Sequence, residues 1–265
     1  MALEGKVAIV TGASRGIGEA IAKRFAAEGA AVAVTARTIE EGDHVFAGSI
    51  SRTVQSIVET GGTALPVAAD LSRQEDRARL LQTVENELGP VDVLVNNAAI
   101  TYFEPVDDFD ERHFRVMFEV QVRAPFELVQ RVLPGMRERR QGWILNISSG
   151  AARHPAGPPY RGGLRGGTVY GMCKSALERF TTGLASEVYA DGVSVNVLSP
   201  SGLVATPGVV HHGLTRNVPE DRLEPASVMA EAAYALCTGD PATLTGKITY
   251  AKPVLAELGI PIPTA

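Results

Sequence analysis

The 265-residue chain has little of what several classes of protein require. Its two cysteines, Cys173 and Cys237, are too few for a disulfide framework, so a reducing, cytoplasmic location is expected. The formal net charge of −5 leaves no excess of basic residues for a nucleic-acid-binding surface. No apolar run approaches the roughly 18 residues of a membrane span, and no secretory leader is expected because the first residues enter a strand pattern.

What the sequence does contain is a regular alternation of short apolar, β-branched runs with helical patterns. Strands without polar alternation, separated by helices, indicate a parallel sheet that is covered on both faces. The expected fold is therefore α/β, a doubly wound Rossmann fold with seven parallel strands, in a single domain over residues 1–265. The strands are predicted at Val7–Val10, Ala31–Thr35, Thr63–Ala68, Val91–Val95, Trp143–Ile147, Val193–Leu198 and Lys247–Tyr250, and the helices at Gly16–Glu28, Ser49–Thr60, Gln74–Leu88, Asp110–Arg139, Thr168–Ala190 and Ala226–Thr238.

Three irregular stretches, Thr38–Gly48, Ala151–Gly167 and Pro200–Pro219, each follow a predicted strand. The carboxyl ends of parallel strands meet at one edge of the sheet, where a doubly wound fold binds its ligand. Long loops at such a place are more often substrate lids than linkers. We therefore expect all three to border a ligand crevice, with residues 151–167 and 200–219 as the substrate loops.

The most informative stretch is Thr11–Gly18, which reads TGASRGIG between an apolar run and a helical pattern. Strand, glycine-rich turn and helix in that order are the context of a dinucleotide-binding loop. Gly12 permits a tight turn, Gly16 a close approach of the backbone to a pyrophosphate, and Gly18 close packing of helix on strand. The helix N-terminus then attracts the phosphates. The alternative is an ordinary turn that happens to hold glycines.

A tyrosine and a lysine four residues apart, Tyr170 and Lys174, share one face of a predicted helix. A nearby ammonium group favours the phenolate and lowers the pKa of a tyrosine. Such a hydroxyl can exchange a proton with a carbonyl or alcohol oxygen. The spacing alone is common on helices, but here it follows a dinucleotide loop and a strand ending in Ser148 and Ser149. We expect Ser149 to hydrogen-bond the reacting oxygen and Ser148 to serve as a cap or turn residue.

Together these motifs resemble the short-chain dehydrogenase/reductase family, in its compact single-domain branch. The resemblance implies hydride transfer between a nicotinamide and a carbonyl carbon. It implies Tyr170 as the general acid/base, Lys174 as the group that lowers its pKa and holds the nicotinamide ribose, and Ser149 as the group that positions the substrate oxygen. The matching residues are Thr11–Gly18, Asp70, Asn96–Ala99, Ser149, Tyr170, Lys174, Asn196–Pro200 and Thr206.

The resemblance also implies which residues hold the cofactor. Asp70 is expected to meet the adenine amino group, and Asn97 to lie against the adenosine side. The backbone around Val204 is expected to meet the carboxamide, with Thr206 near the pyrophosphate. The expected cofactor-binding set is Gly12, Ser14, Arg15, Gly16, Ile17, Gly18, Arg37, Asp70, Asn97, Ala98, Tyr170, Lys174, Pro200, Val204 and Thr206.

The end of the second predicted strand favours NADP(H) over NAD(H) as the cofactor. An NAD-preferring enzyme of this fold carries an acidic residue there to bond the ribose hydroxyls, whereas this chain has Ala36 followed by Arg37. Arg37 and Arg15 can together clamp a 2′-phosphate, because guanidinium groups match phosphate oxygens. The alternatives are that Arg37 is a solvated surface charge, or that acidic residues of the following loop fold back toward the site.

The chain departs from the family pattern near the expected catalytic centre. Gln121 stands where the family has its catalytic asparagine, so the amide is kept on a longer side chain, and whether it still holds a relay water is left open. The spacing between Ser149 and Tyr170 is longer than usual, and Pro200-Ser-Gly202 is one residue longer than the usual Pro-Gly. The expected catalytic set is Ser149, Tyr170, Lys174 and Gln121.

Further features bear on the substrate and on metals. The loop after Arg37, the altered Pro200 region and residues 251–259 resemble the hydroxysteroid-dehydrogenase-like and citronellol-dehydrogenase-like group, which implies an apolar alcohol, aldehyde or ketone. The adjacent His211 and His212 have no cysteine or acidic partner close in sequence, so no metal site is expected. Arginines of residues 151–167 fit either an anionic substrate tail or a solvated basic loop; they are Arg153, Arg161 and Arg165.

The expected function is an NADP(H)-dependent oxidoreductase that acts on a carbonyl/alcohol pair. The alternative is a non-catalytic NADP(H)-binding regulatory or scaffold protein, which Gln121 motivates. The resemblance implies a homodimer or homotetramer, with Asp110–Arg139 and Thr168–Ala190 as the contact surfaces. Neither nucleic acid nor a membrane is expected as a partner.

Overall fold

Seven parallel strands form one sheet in this computed structural model, which describes residues 1–160 and 165–264. The strands are β1 (Val7–Thr11), β2 (Ala31–Ala36), β3 (Thr63–Ala68), β4 (Val93–Asn96), β5 (Gly142–Ile147), β6 (Val193–Ser199) and β7 (Ile248–Tyr250). Their order across the sheet is β3-β2-β1-β4-β5-β6-β7, so the chain winds outward in both directions from β1 and β4. This order confirms the predicted doubly wound Rossmann fold.

Helices cover both faces of the sheet, and each face has its own apolar core. In β1, Ala8 and Val10 pack into one core while Val7 and Ile9 pack into the other, which explains why the strands show no polar alternation. The helices are α1 (Gly16–Ala27), α2 (Ile50–Glu59), α3 (Gln74–Glu87), α4 (Glu111–Phe118), α5 (Ala124–Arg139), α6 (Thr168–Val188), α7 (Pro207–His211), α8 (Ala226–Thr238) and α9 (Ala251–Glu257). Among the described residues, no helix is both long and apolar enough to cross a bilayer.

The long helix predicted over Asp110–Arg139 is interrupted. A π-helical turn over Glu119–Arg123 separates α4 from α5, with Asp110 as the N-cap of α4. Such turns insert one extra residue into a helix and are frequent at functional sites. The helical periodicity of the sequence continues across the turn, which is why the pattern alone predicted one continuous helix.

Two short helices were not predicted, α7 within the third irregular stretch and α9 after β7. Local signals for α7 are present in the sequence. Thr206 caps it by accepting a hydrogen bond from the Val209 N–H at 3.3 Å, and Pro207 occupies its first position. At five residues, however, α7 is too short to show a hydrophobic period.

Candidate active site

The carboxyl ends of the strands open into a cavity of about 1140 Å³. All three irregular stretches border it, as expected: His44 lies in the first, Arg153 in the second and Val204 in the third. The second stretch includes Arg161, which lies outside the described residues, while Arg165 is exposed and does not line the cavity. The cavity therefore combines the predicted dinucleotide loop with the predicted substrate loops.

The glycine loop turns as its sequence predicts and packs closely at Gly18, but the neighbour of Gly16 is a residue of another segment. Gly12 has a φ of +65°, and a Cβ there would lie 2.8 Å from the Cα of Ala98. Gly16 has a φ of +61°, and its Cβ would lie 2.9 Å from Cγ2 of Thr206. A Cβ on Gly18 would overlap the Gly12 carbonyl and the Asn97 amide. Gly16 thus leaves room for Thr206 of the segment after β6, and Gly18 for the Gly12 carbonyl and Asn97. Neither glycine lines the cavity, whereas Gly12, Ser14, Arg15 and Ile17 do.

Asn97 braces the glycine loop. Its Nδ2 donates to the carbonyl oxygens of Thr11 at 2.8 Å and Gly12 at 3.1 Å. The backbone N–H groups of Asn97 and Ala98 donate to Oγ1 of Thr11 at 2.9 and 3.0 Å. Both residues also line the cavity. The side-chain amide of Asn97, expected to lie against the adenosine, is therefore bonded to the loop that would hold the phosphates.

Asp70 lines the same cavity beyond the end of β3. Its Oδ1 accepts from the backbone N–H of Ser72 at 3.0 Å and from the Ser72 hydroxyl at 2.8 Å. Its own backbone N–H donates to Oδ2 of Asp76 at 2.8 Å. These bonds fix the carboxylate at the rim, where one of its oxygens is committed to Ser72.

Lys174 is buried beneath the catalytic end of the cavity. Its Nζ donates to the carbonyl oxygen of Ile147 at 2.9 Å and lies 5.5 Å from the ring centroid of Tyr170. Burial lowers the pKa of Lys174 to about 8, with smaller opposing contributions from Cys173 and Glu178. The spacing of four therefore does bring the two side chains together, and both line the cavity with Ser149.

The pKa of Tyr170 shifts opposite to the sequence-based expectation. Burial raises this pKa, and the neighbouring Ser149 hydroxyl is what opposes the rise. The Nζ of Lys174 is directed at the Ile147 carbonyl, and Lys174 is not among the groups that shift the pKa of Tyr170. Tyr170 is therefore protonated near neutral pH, in the state of a proton donor.

The two serines after β5 have different partners. The Ser149 Oγ accepts from the Ala151 N–H at 3.2 Å while also interacting with Tyr170. The Ser148 hydroxyl donates to Oε1 of Glu178 on α6 at 2.7 Å. The prediction that Ser148 caps a turn is therefore wrong, because Ser149 caps the turn at Gly150–Ala152 while the Ser148 hydroxyl donates a hydrogen bond to a carboxylate on the neighbouring helix.

Gln121 is buried in the π-helical turn and does not itself line the cavity, although its neighbour Val120 does. Its Nε2 donates to the carbonyl oxygen of Ile100 at 2.8 Å. Its Oε1 is buried without a hydrogen-bond partner among the described residues. A buried carbonyl oxygen of this kind is usually satisfied by an ordered water.

The acidic residues of the loop after β2 bond to the loop's own backbone, although Glu41 lies close enough to Arg15 that its charge opposes the lowering of the Arg15 pKa by burial. Asp43 accepts hydrogen bonds from the backbone N–H groups of Ile39 at 3.2 Å and Glu40 at 2.8 Å. Glu41 accepts from the Gly48 N–H with both oxygens, each at 3.1 Å. Neither carboxylate, nor that of Glu40, is among the cavity-lining groups. The positive charge of Arg15 and the exposed Arg37 therefore faces the end of β2 without a lining carboxylate from this loop.

The segment after β6 also lines the cavity, including the expected residues Pro200, Val204 and Thr206. Sequence reasoning missed the group that holds this segment, the buried Glu224. Its carboxylate accepts the backbone N–H groups of Ser201 at 3.1 Å and Gly202 at 3.0 Å. No local motif marks Glu224, because its partners lie far back in the sequence.

The residues present fit a nicotinamide dinucleotide. Gly12 and Gly16 both adopt left-handed backbone conformations, so side chains are absent where the loop turns under the N-terminus of α1. The Nε of Arg15 is buried without a partner in the described part of the chain. An unpaired guanidinium N–H beside a helix N-terminus is a donor set for anions. No group of three or more His, Cys, Asp or Glu side chains among the described residues is arranged to hold a metal ion.

Comparison with known protein families agrees with this geometry. A family model described as short chain dehydrogenase matches residues 6–215, which is more than half of the chain. The chain belongs to the short-chain dehydrogenase family. It is therefore an oxidoreductase of that family with a Rossmann fold.

Two relatives and one solved structure illustrate the range of this short-chain dehydrogenase's neighbours. A short chain dehydrogenase of Pseudocercospora fijiensis is 37% identical over 227 residues, which cover 85% of this chain and 65% of that protein. The 3-oxoacyl-(acyl-carrier-protein) reductase FabG of Haemophilus influenzae is 32% identical over 253 residues, which cover 92% of this chain and 95% of that protein. The crystal structure of a blue fluorescent protein from a metagenomic library in complex with NADPH has a TM-score of 0.79 at 31% identity, covering 94% of this chain and 97% of that one.

Proposed function

We propose that this short-chain dehydrogenase is an NADP(H)-dependent oxidoreductase that transfers hydride between the nicotinamide and the carbonyl or alcohol group of an apolar substrate. The observation that carries the proposal is the convergence of Ser149, Tyr170 and Lys174 on one cavity that also holds the glycine loop. Membership of the family establishes an oxidoreductase, and the preferences for an apolar substrate and for NADP(H) are proposed in addition.

The chain's own groups supply the proton chemistry. When bound, the cofactor supplies or accepts the hydride. In the reductive direction Tyr170 donates its phenolic proton to the substrate oxygen as negative charge develops there. Ser149, which interacts with the same phenol, orients that oxygen by a hydrogen bond. Lys174 lies under the Tyr170 ring, where an ammonium would stabilise the phenolate left behind.

The substrate end of the cavity favours an apolar molecule. Ile100, Phe103 and Leu214 line it, among other apolar side chains. Arg153, the described cavity-lining arginine of residues 151–167, is engaged: its Nε donates to the hydroxyl of Tyr250 at 2.6 Å and its guanidinium lies 4.3 Å from that ring. This engagement supports a structural role for Arg153 and an alcohol, aldehyde or ketone without a required anionic tail.

The preference for NADP(H) is supported by the end of β2. Ala36 offers no carboxylate for ribose hydroxyls, and Arg37 and Arg15 line the cavity beside it. The NADPH complex of the metagenomic blue fluorescent protein shows that a structurally similar protein accepts the phosphorylated cofactor. Self-association as a homodimer or homotetramer is proposed through α5 and α6, where Phe126 and Phe180 border an apolar groove.

The decisive experiment compares Tyr170→Phe with Tyr160→Phe. Tyr160 is exposed and does not line the cavity, so its variant is a matched control that should keep full activity. A panel of apolar alcohols, aldehydes and ketones is screened with NADPH and NADH side by side. We expect turnover in wild type and Tyr160→Phe, and its loss in Tyr170→Phe while NADPH still binds.

Two results would contradict the proposal. Turnover that survives in Tyr170→Phe would exclude this tyrosine as the acid/base. Tight NADPH binding without turnover across the panel, in wild type and in Gln121→Asn, would favour the non-catalytic alternative. The Gln121→Asn variant restores the family's asparagine, so it separates an impaired proton relay from a protein that has no reaction.

A further inference from the structure

The segment Thr38–Gly48 is organised around Arg15. The Nη2 of Arg15 donates to Oγ1 of Thr38 at 2.9 Å and to the carbonyl oxygen of Gly48 at 2.7 Å. Its Nη1 lies 3.3 Å from Nδ1 of His44. Most of the guanidinium that the sequence assigns to a phosphate is therefore engaged in holding this loop, and the phosphate site needs donors from elsewhere.

His44 has a defined tautomer in this loop. The backbone N–H of Phe46 donates to Nδ1 of His44 at 3.1 Å, and Arg15 approaches the same nitrogen. Both neighbours can only donate, so Nδ1 is the unprotonated nitrogen and the neutral ring carries its hydrogen on Nε2. Burial, followed by the charges of Arg15, Arg37 and His211, lowers the pKa of His44, which keeps the ring neutral near pH 7.

The imidazole of His44 is held in place by ring contacts as well. It meets the Phe46 ring edge-on at 4.7 Å between centroids, and Phe46 in turn lies 4.9 Å from His211 on α7. His44, Phe46, His211 and Arg37 all line the one cavity. The His44 ring is thus held by Arg15 and by Phe46 of its own loop, and Phe46 connects that loop to α7.

We propose that His44 is a third ligand of the cofactor's 2′-phosphate and donates to it from Nε2. A phosphate group presents three acceptor oxygens. Arg37 and the remaining N–H groups of Arg15 supply part of the donor set, and a neutral imidazole adds a directed donor that does not need to be charged. The inference rests on the proposed preference for NADP(H), and it identifies His44 as a residue that increases this preference.

Two substitutions of His44 distinguish the role of Nδ1 from that of Nε2. In His44→Asn the side-chain amide reaches about as far as Nδ1, so it can still accept from the Phe46 N–H but offers no donor at the Nε2 position. In His44→Gln the amide reaches about as far as Nε2 and keeps a donor there. His154, which is exposed and does not line the cavity, provides the control variant His154→Asn.

The test uses NADP⁺ and NAD⁺, which differ only in the 2′-phosphate, with dissociation constants measured on the full chain by isothermal titration calorimetry without substrate. We expect His44→Asn to bind NADP⁺ about tenfold more weakly, as for a lost hydrogen bond to a charged group. Its affinity for NAD⁺ should stay unchanged, His44→Gln should retain most of the affinity for NADP⁺, and His154→Asn should behave as wild type.

Several outcomes would overturn the inference. Unchanged NADP⁺ binding in His44→Asn, or an equal loss for NADP⁺ and NAD⁺, would leave His44 with a loop-packing role only. An equal loss of NADP⁺ affinity in the Asn and Gln variants would refute the assignment to Nε2. Wild-type protein that does not prefer NADP⁺ would refute the proposed cofactor preference itself, so the two failures can be told apart.

A measurement on the unsubstituted protein guards against variants that fold poorly. Imidazole ¹⁵N NMR spectra report which nitrogen of His44 carries the hydrogen. We expect an unprotonated Nδ1 in the free protein and a shift of the Nε2 signal on adding NADP⁺ but not NAD⁺. A ring protonated on Nδ1, or equal shifts with both nucleotides, would overturn the proposal.

Discussion

The carboxylate of Glu224 accepts a hydrogen bond from the backbone N–H of Gly202 at 3.0 Å. Its second oxygen accepts from the backbone N–H of Ser201 at 3.1 Å, and the side chain is fully buried. The Glu224 N–H also donates to the carbonyl oxygen of Leu203 at 2.8 Å. Glu224 therefore shapes a cavity wall at the point where the chain is one residue longer than the usual family pattern.

Replacing Glu224 by Gln should weaken this wall. The amide can accept only one of the two N–H groups, and its own NH₂ then faces the other donor. We expect the free energy of unfolding to fall by about 1–3 kcal/mol, as for a buried donor left unpaired, and the Kd for NADPH to rise several-fold. Urea unfolding and fluorescence titration measure the two effects, with the exposed Glu220→Gln as control. Equal NADPH affinity in both variants would contradict the positioning role.

The lowered pKa of Lys174 predicts a pH-dependent stability. Burial lowers this pKa from 10.5 to about 8, so between these values the unfolded chain binds a proton that the folded chain does not. Stability should therefore rise with pH across this window, with a total contribution of roughly 3 kcal/mol from Lys174. Lys174→Met should lack this rise, whereas Lys23→Met, on the surface of α1, should keep it. Urea unfolding at about pH 7.5 and about pH 9.5 measures how the free energy of unfolding changes with pH. An equal change in wild type and Lys174→Met would contradict the prediction.

The parts of the site that the sequence predicts are those formed within one short segment. The turn at Gly12 and the shared helix face of Tyr170 and Lys174 follow from local spacing, and the structure has both. The strand order is also predictable, because buried parallel strands and crossover helices leave few topologies.

The parts that were missed depend on contacts between distant segments. Arg15 holds a loop that ends 33 residues later in the chain, and Asn97 bonds a turn 85 residues earlier. The direction of the Tyr170 pKa depends on burial, which four-residue spacing does not report. Neither hydrophobic periodicity nor residue propensity identifies these contact partners, because the contacts depend on how the loops meet at the edge of the sheet.

Arg77 links α3 to the π-helical turn and α5 by a buried ion-pair network. It is 1% exposed, its Nε donates to Oε2 of Glu127 at 2.6 Å, and its Nη1 donates to the carbonyl oxygen of Leu71 at 2.6 Å. Arg77→Met should lower the free energy of unfolding by about 1–3 kcal/mol, because the Leu71 carbonyl loses its buried donor while Glu127 keeps its ion pair with Arg123 at 2.8 Å. Glu127→Gln should have a smaller effect, since Arg77 also lies 3.4 Å from Glu119.

A double-mutant cycle on Arg77 and Glu127 in urea tests this coupling. Additive losses would show that the two residues do not act together. Because Leu71 lines the cavity, Arg77→Met should also weaken NADPH binding, and an unchanged Kd would limit the network to a role in stability.

The close contact between Gly16 and Thr206 predicts that Gly16→Ala is destabilising and that a second substitution, at Thr206, partly restores stability. Alanine at position 16 meets two obstacles: the φ of +61°, and a Cβ that would lie 2.9 Å from Cγ2 of Thr206. The left-handed conformation alone costs about 1–2 kcal/mol for a residue with a Cβ. We expect Gly16→Ala to lower stability by more than that amount and to weaken NADPH binding.

Thr206→Ser removes the opposing methyl group and keeps the hydroxyl that caps α7 at the Val209 N–H. The double variant should therefore regain the steric part of the loss in both melting temperature and NADPH affinity, while the part due to φ remains. Thr206→Ser alone should be close to wild type. If the double variant is no better than Gly16→Ala, the loss comes from the backbone conformation alone, and the two loops are not in the close contact that joins the glycine turn to the segment after β6.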